Sequence, residues 1–286
     1  MPMDATLALK AVVVAVVEGV TEFLPISSTG HIVVTERLLD HDFGEVFNVV
    51  IQFGAILAVC VYYHRRILAL LASLATDPAS RRFAFNLFLG FIPIAVVGLL
   101  IKKHLEDLWR LDVIALTTFF GGIAILLIER YCTKSRHLTA AAMPWTTALG
   151  IGIIQIAALL PGTSRSGSSI MGARVLGVDR AAAAEFSFFL AIPLMTAASA
   201  KELWDQHKEA QAAGGLGALA HHDDGLGILL LGTGVSFVVA LAVVHLLMRF
   251  IANHSFAVFG WYRVAAGLAL FVVVKMELLA NVVTNH

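Results

Sequence analysis

The stretch Glu18-Gly-Val-Thr-Glu22-Phe-Leu-Pro25-Ile-Ser27-Ser28-Thr29-Gly30-His31 interrupts a chain that is otherwise largely lipid-soluble. Two carboxylates four residues apart fall on one face of a helix, Pro25 stops that helix, and hydroxyls, a glycine and a histidine follow at once. Such groups are costly at membrane depth, so their concentration here marks a functional site.

The apolar context comes from composition. The chain has 286 residues, 59% hydrophobic and 14% charged, against about a quarter charged in soluble domains, and reads as a membrane protein. Lys plus Arg and Asp plus Glu are both 20, giving zero formal net charge, so nucleic acid is not an expected partner. Cys60 and Cys132 sit in or beside apolar runs without partner spacing and read as small hydrophobes, neither a disulfide nor a metal cluster. The first apolar run, Ala11 to Val17, is short and ends in Glu18 without a small-residue cleavage site, unlike a cleaved signal.

Beyond the opening cluster, Val46 to Tyr63, Phe83 to Ile101 and Val113 to Ile128 are charge-free runs, close to the ~20 residues that cross a bilayer core. Trp145 to Leu160 is apolar but broken by Pro161-Gly-Thr-Ser-Arg165-Ser-Gly-Ser-Ser169, with the short run Ile170 to Leu176 after it. Phe186 to Ala200, Gly225 to Met248 and Phe256 to Val274 complete the spans.

One broken pair followed by three spans therefore occurs twice. Aligned at their glycines, Glu18 faces Gln155, Ser27 faces Ser164, Ser28 faces Arg165 and Gly30 faces Gly167, while Glu45-Val-Phe47 resembles Glu185-Phe186. Because three spans is an odd number, the second copy is expected to lie inverted, with both breaks near the midplane. The expected fold is an all-α integral membrane protein of one domain, 1–286, built as an inverted-topology repeat. Its first half, 1–137, has a re-entrant broken pair at about 5–40 and transmembrane helices at about 45–63, 83–102 and 112–129. Its second half, 138–286, has a broken pair at about 145–177 and transmembrane helices at about 184–201, 225–249 and 256–275. Ordinary kinks in full spans are the bland alternative, which leaves the polar groups at both breaks unexplained.

One face of this arrangement receives Arg65, Arg66, Arg81, Arg82, Arg130, Lys134, Arg136 and Arg249. The other receives Lys102, Lys103, Arg110, Lys201 and Lys208 with most of the acids, including Glu106, Asp107, Asp223 and Asp224. The positive-inside rule makes the Arg-rich face cytoplasmic and opens the first break to the opposite side.

At the second break, Pro161 and Gly162 stop one helix and Ser166 can begin another whose free N–H groups face the loop. Hydroxyls, the Arg165 guanidinium and a helix N-terminus make an anion site suited to phosphate; small-residue helix packing is the competing reading. At the first break, Glu18 and Glu22 can hold a divalent cation between them, or one can act as base while the other takes a metal or an Arg. Ser28 and His31, three apart at a helix start, fit an activated nucleophile and its base. A Ser27 or Ser28 cap and a His31 bonded to backbone are the bland alternatives. Arg263, seven residues into the last span, is either a functional partner or a snorkelling side chain. Asn48 and Gln52 share a face of the first full span, fitting helix–helix hydrogen bonding better than a pocket lining. His221 and His222 read as an exposed loop pair unconnected with catalysis.

Glu18-Gly-Val-Thr-Glu22 with Pro-x-Ser-Ser-Thr-Gly-His31, together with Pro161-Gly-Thr-Ser-Arg165-Ser-Gly, resembles the bacterial undecaprenyl-diphosphatase family linked to bacitracin resistance. The resemblance covers nearly the whole chain. It implies a multi-pass inner-membrane enzyme that converts undecaprenyl diphosphate to undecaprenyl phosphate and phosphate, recycling the carrier for peptidoglycan synthesis, with its active site open to the periplasm. The family's functional positions fall on Glu18, Glu22, Ser28, His31, Ser164 and Arg165, and one departure is Ser169, where members usually carry Thr. Expected catalytic residues are Glu18, Glu22, Ser28, His31 and Arg165; expected substrate contacts are Ser27, Thr29, Ser164, Arg165, Ser166 and Ser169. The resemblance also implies a divalent cation, Mg2+ or Ca2+, which Glu18 and Glu22 would hold. Expected partners are the polyprenyl diphosphate lipid and the bilayer, and a homodimer is allowed.

Two other functions compete. An inverted-repeat transporter or polyprenyl-phosphate flippase shares the architecture but has no need of a Ser-His pair. The type 2 phosphatidic acid phosphatases share Ser-Gly-His-like and Ser-Arg fragments, but no Arg-Pro pair is present and Met171 stands where their final histidine would follow.

Overall fold

The computed structural model describes residues 4–212 and 225–284. The loop histidines His221 and His222, with Asp223 and Asp224, lie outside the described residues.

The described chain is helical: α1 Ala5–Thr21, α2 Ser28–Leu38, α3 Gly44–Tyr62, α4 His64–Ser73, α5 Pro78–Leu105, α6 Leu111–Tyr131, α7 Trp145–Gln155, α8 Arg165–Val175, α9 Arg180–Ala212, α10 Gly225–Ile251 and α11 Ala257–Thr284. Six of them are long and apolar enough to cross a membrane, over Gly44–Tyr62, Pro78–Ile101, Leu111–Tyr131, Arg180–Lys208, Gly225–Ile251 and Ala257–Met276. These match the six expected spans, and the short Trp145–Leu159 segment falls below spanning length, as its apolar run implied. Many large apolar side chains on the spans, including Leu100, Phe120, Leu230 and Trp261, point outward, as a lipid-facing surface requires.

The helices start where their sequences can satisfy free N–H groups. The Asp4 carboxylate accepts the Thr6 N–H at 3.0 Å ahead of α1. The Asp77 carboxylate accepts from Ala79 N and Ser80 N ahead of α5, with Pro78 at the first helical position where its missing N–H costs nothing. The helix α4 was not foreseen: it opens with exposed Arg65 and Arg66 and exposes Leu68 and Leu71.

Two compact units are present, and each draws on both halves of the chain. The first comprises Met1–Phe23, His31–Thr76 and Phe188–Arg249; the second comprises Leu24–Gly30, Asp77–Ser187 and Phe250–His286. In the first unit, Ala11, Val14 and Ala15 of α1 pack with Phe43, Phe47 and Ile51 around α3 and with Ile228 and Leu229 of α10. Gly19 lets α1 approach α10 directly, since a Cβ there would stand 2.8 Å from Ser236 O. Asn48 of α3 donates to the Glu36 carboxylate at 3.3 Å, which settles it as a helix-to-helix hydrogen bond.

In the second unit, α6 and α11 lie backbone to backbone: a Cβ on Gly122 would meet Gly260 O at 2.7 Å. Small residues allow this approach, and dispersion then replaces the hydrophobic drive absent in lipid. Behind the second break, Glu129 of α6 accepts from Arg180 at 2.7 Å and 2.9 Å and faces buried Arg174 at 3.5 Å. Arg174 also donates to Cys132 O and Val178 O, anchoring the C-terminal end of α8.

Candidate active site

Both carboxylates of the first motif close α1. Glu22 is its C-cap, with its N–H bonded to Glu18 O at 3.0 Å, and the side chains are nearly sealed from solvent at 1% and 6% exposure. Two acids on the last turn add to the negative end of the helix dipole, an arrangement that favours a cation. The donor set is hard oxygen, which suits Mg2+ or Ca2+. Among the described residues no cluster of three or more His, Cys, Asp or Glu side chains could hold a metal.

After Glu22 the chain turns through Phe23 to Ile26 and reaches Ser27 at φ 74°. The Ser27 hydroxyl accepts the Gly30 N–H at 3.5 Å, and α2 begins at Ser28. Ser27 therefore has the cap geometry. Ser28 is buried and His31 follows one turn later on the same helix, with Thr29 half-buried between them. His31 O accepts the Thr35 hydroxyl at 2.7 Å, so its backbone is held within α2.

The second break repeats this geometry. Gly162 has φ 84° and no room for a side chain, because a Cβ would collide with Thr117 Oγ1 and Ile114 O. Ser164 has φ 76° and its hydroxyl accepts the Gly167 N–H at 3.1 Å, starting α8 at Arg165, one residue earlier than the sequence suggested. The sequence alignment pairs Ser27 with Ser164 and Gly30 with Gly167, and the structure gives each pair the same role.

A chain of hydroxyls ties the breaks together inside the second unit. Ser166 Oγ donates to Leu24 O at 2.9 Å, so its single proton is spent there and the Ser164 hydroxyl must donate to Ser166 at 3.1 Å. Ser169 donates back toward Arg165 O at 3.0 Å and meets the Ser187 hydroxyl at 2.7 Å. Arg165 Nη1 donates to Ser187 O at 3.1 Å, which holds one tip of its guanidinium fork. The hydroxyls of Ser166 and Ser169 thus also brace the loop that carries Ser164 and Arg165.

Beneath both breaks lies Arg263, 1% exposed. Its Nε donates to Thr118 O, its Nη1 to Pro25 O and Thr163 O, and its Nη2 to Thr117 O and Gly162 O, at 2.9–3.2 Å. The side chain is directed into the protein rather than toward the interface, which rules out snorkelling. Beside the second break, Gln155 is fully buried and neither of its amide atoms has a hydrogen-bond partner among the described residues.

The model of the bacitracin resistance protein BacA family matches residues 11–269. The chain belongs to that family. It is 44% identical over 272 residues to undecaprenyl-diphosphatase 2 of Rhodospirillum rubrum, covering 94% of this chain and 95% of that one. It is 41% identical over 279 residues to the undecaprenyl-diphosphatase of Aromatoleum aromaticum, covering 96% and 98%. With that of Novosphingobium aromaticivorans it shares 44% over 263 residues, covering 91% and 95%.

Both breaks, the first ending at His31 and the second around Arg165, lie within the matched region. The second unit brings Ser27, Ser28 and Thr29 together with Ser164, Arg165, Ser166 and Ser169; Glu18, Glu22 and His31 belong to the first unit. Sequence reasoning passed over Ser187, a lone hydroxyl in an Ala- and Phe-rich helix whose partners are distant in the chain. It flagged Arg263 as ionisable at depth but left its partner open.

Proposed function

We propose that this chain hydrolyses undecaprenyl diphosphate to undecaprenyl phosphate and inorganic phosphate, returning the carrier lipid to peptidoglycan synthesis and lowering bacitracin sensitivity. The observation that carries the reading is the hydrogen-bonded join of the two breaks. Ser166 bonds to the first break's Leu24 O, so a helix start bearing a guanidinium is fastened beside a helix start bearing a buried serine. The names of the relatives point to the same substrate.

In this reading Arg165, Ser164 and the N–H groups opening α8 take the diphosphate oxygens, because a planar fork and a helix N-terminus both favour phosphate. Ser28 attacks the terminal phosphorus while His31, one turn on, takes its proton. The lipid phosphate leaves, and water then displaces the phosphoryl group from Ser28 as inorganic phosphate. A Mg2+ or Ca2+ held by Glu18 and Glu22 would offset charge on the phosphoryl oxygens.

The repeat is proposed to be inverted, with the two broken pairs entering the inner membrane from opposite faces. Its support is the shared positive-φ serine cap at Ser27 and Ser164. A periplasmic opening for the first break is supported by the Arg-rich connections on the opposite face, including Arg65, Arg66, Arg81 and Arg82, through the positive-inside rule.

The test is phosphate release from a detergent-solubilised polyprenyl diphosphate, with and without chelator, for wild type, Arg165→Ala and Glu22→Ala at equal folded amounts. Chelator-sensitive release lost in both variants supports the reading. Binding of the lipid without release by wild type overturns it and directs attention to transport.

A further inference from the structure

We infer that Arg263 is a positioning residue of the hydrolytic reaction, acting through the two broken loops rather than on the substrate. The inference rests on the proposed phosphatase reading and deepens it.

Arg263 uses each of its five N–H groups on a different backbone carbonyl. One belongs to the first break, Pro25; two belong to the second, Gly162 and Thr163; two belong to the α6 helix that backs them, Thr117 and Thr118. A guanidinium has five N–H donors and no more, so the side chain is spent on these loops and has none left for a phosphate. Among the described residues no carboxylate pairs with it, so its burial is offset by carbonyl dipoles alone.

Three of those carbonyls, Pro25, Gly162 and Thr163, lie outside the helices. Broken helices leave C=O groups without partners at the point where lipid supplies no water, and irregular backbone at this depth persists only where protein satisfies it. Pro25 and Gly162 lie where each chain segment reverses, each two residues before the serine cap that begins α2 or α8. One rigid fork touching both segments fixes the spacing of the Ser28 and Arg165 helix starts. Arg263 Nη1 also lies against the first turn of α8, 3.4 Å from where a Cβ of Gly167 would stand. The α6 side of the clamp is reinforced by the Thr117 hydroxyl, which donates to Pro161 O at 2.5 Å.

A lysine keeps the charge but has three donors radiating from one atom, and cannot span five carbonyls. If Arg263 sets geometry, Arg263→Lys lowers kcat by about 100-fold, the order that a displacement of about 1 Å costs a reacting group, and changes KM for the polyprenyl diphosphate by less than about 3-fold. A double-mutant cycle separates this from general destabilisation. Arg263→Lys is expected to cost much less in an Arg165→Lys background, because the fork then positions a group that can no longer clamp phosphate bidentately. Equal fold-losses in both backgrounds overturn the inference.

Thr117→Val is the second variant, isosteric and leaving the Thr117 carbonyl that the fork holds in place, and it is decisive if Arg263→Lys does not fold. A kcat about 10-fold lower with KM held supports the clamp; an unchanged kcat overturns it. Wild type that turns over while Arg263→Lys matches it removes the role of Arg263 alone, whereas wild type that releases no phosphate removes the hydrolytic reading and the role together.

Discussion

Ser27 and Ser164 hold the same strained conformation in two separate stretches of the chain, φ 74° and φ 76°, and each hydroxyl caps the glycine N–H three residues on. Positive φ costs a side chain about 1–3 kcal/mol, so a hydroxyl at both positions reflects what it does there. It caps the helix and, at Ser164, feeds the hydrogen-bond chain that reaches Leu24 O.

Strain and capping separate experimentally at Ser164. Ser164→Gly and Ser164→Ala both lose the hydroxyl's bonds to Gly167 and Ser166, but only the glycine relieves the backbone, so the glycine variant is expected to be more stable by about 1 kcal/mol. Denaturant unfolding in detergent measures the difference. An alanine variant as stable as the glycine variant contradicts the strain.

Substituting His31 by Ala is expected to lower kcat by about 10²- to 10⁴-fold, the range for loss of a general base. Quenching a single turnover with 32P-labelled substrate should trap a phosphoserine peptide containing Ser28. Normal turnover with no trapped phosphate on the protein would assign the attack to water.

Chelation is expected to abolish phosphate release, with activity restored by Mg2+ or Ca2+. Glu22→Gln should shift the restoring concentration upward by removing one of two anionic oxygen ligands. Release unaffected by chelator and by Glu22→Gln would show that the acids serve another purpose.

The ion cluster behind α8 bears on stability. Glu129→Ala leaves Arg174 buried without its carboxylate and is expected to cost about 3–5 kcal/mol, read from unfolding in detergent. A loss below about 1 kcal/mol would mean that the carbonyls of Cys132 and Val178 suffice for Arg174.

Much of this is legible in the amino-acid sequence. The six spans are readable because long apolar runs, five of them free of charge and the last broken only by Arg263, leave little choice, as in Val46 to Tyr63 against helix Gly44–Tyr62. The breaks were readable because Pro25 and Pro161-Gly162 stop helices beside hydroxyls and ions. The helix α9 starts at Arg180, ahead of the apolar run, because its Ala-rich opening is strongly helical though not hydrophobic. The helix α4 was lost because a ten-residue amphipathic segment after a span looks like a loop. Arg263 shows the deeper limit: its depth is written in the sequence, but its five carbonyl partners come from three distant segments that only folding brings together. Ser187 was hidden for the same reason.

The most direct measurement is to follow a polyprenyl diphosphate labelled with 32P on its terminal phosphorus through turnover by the purified chain. All label leaving as inorganic phosphate, with the monophosphate lipid as the other product, is the result expected of a Ser28-centred diphosphatase. Label leaving as pyrophosphate, or remaining on intact lipid that has crossed a vesicle bilayer, would contradict it.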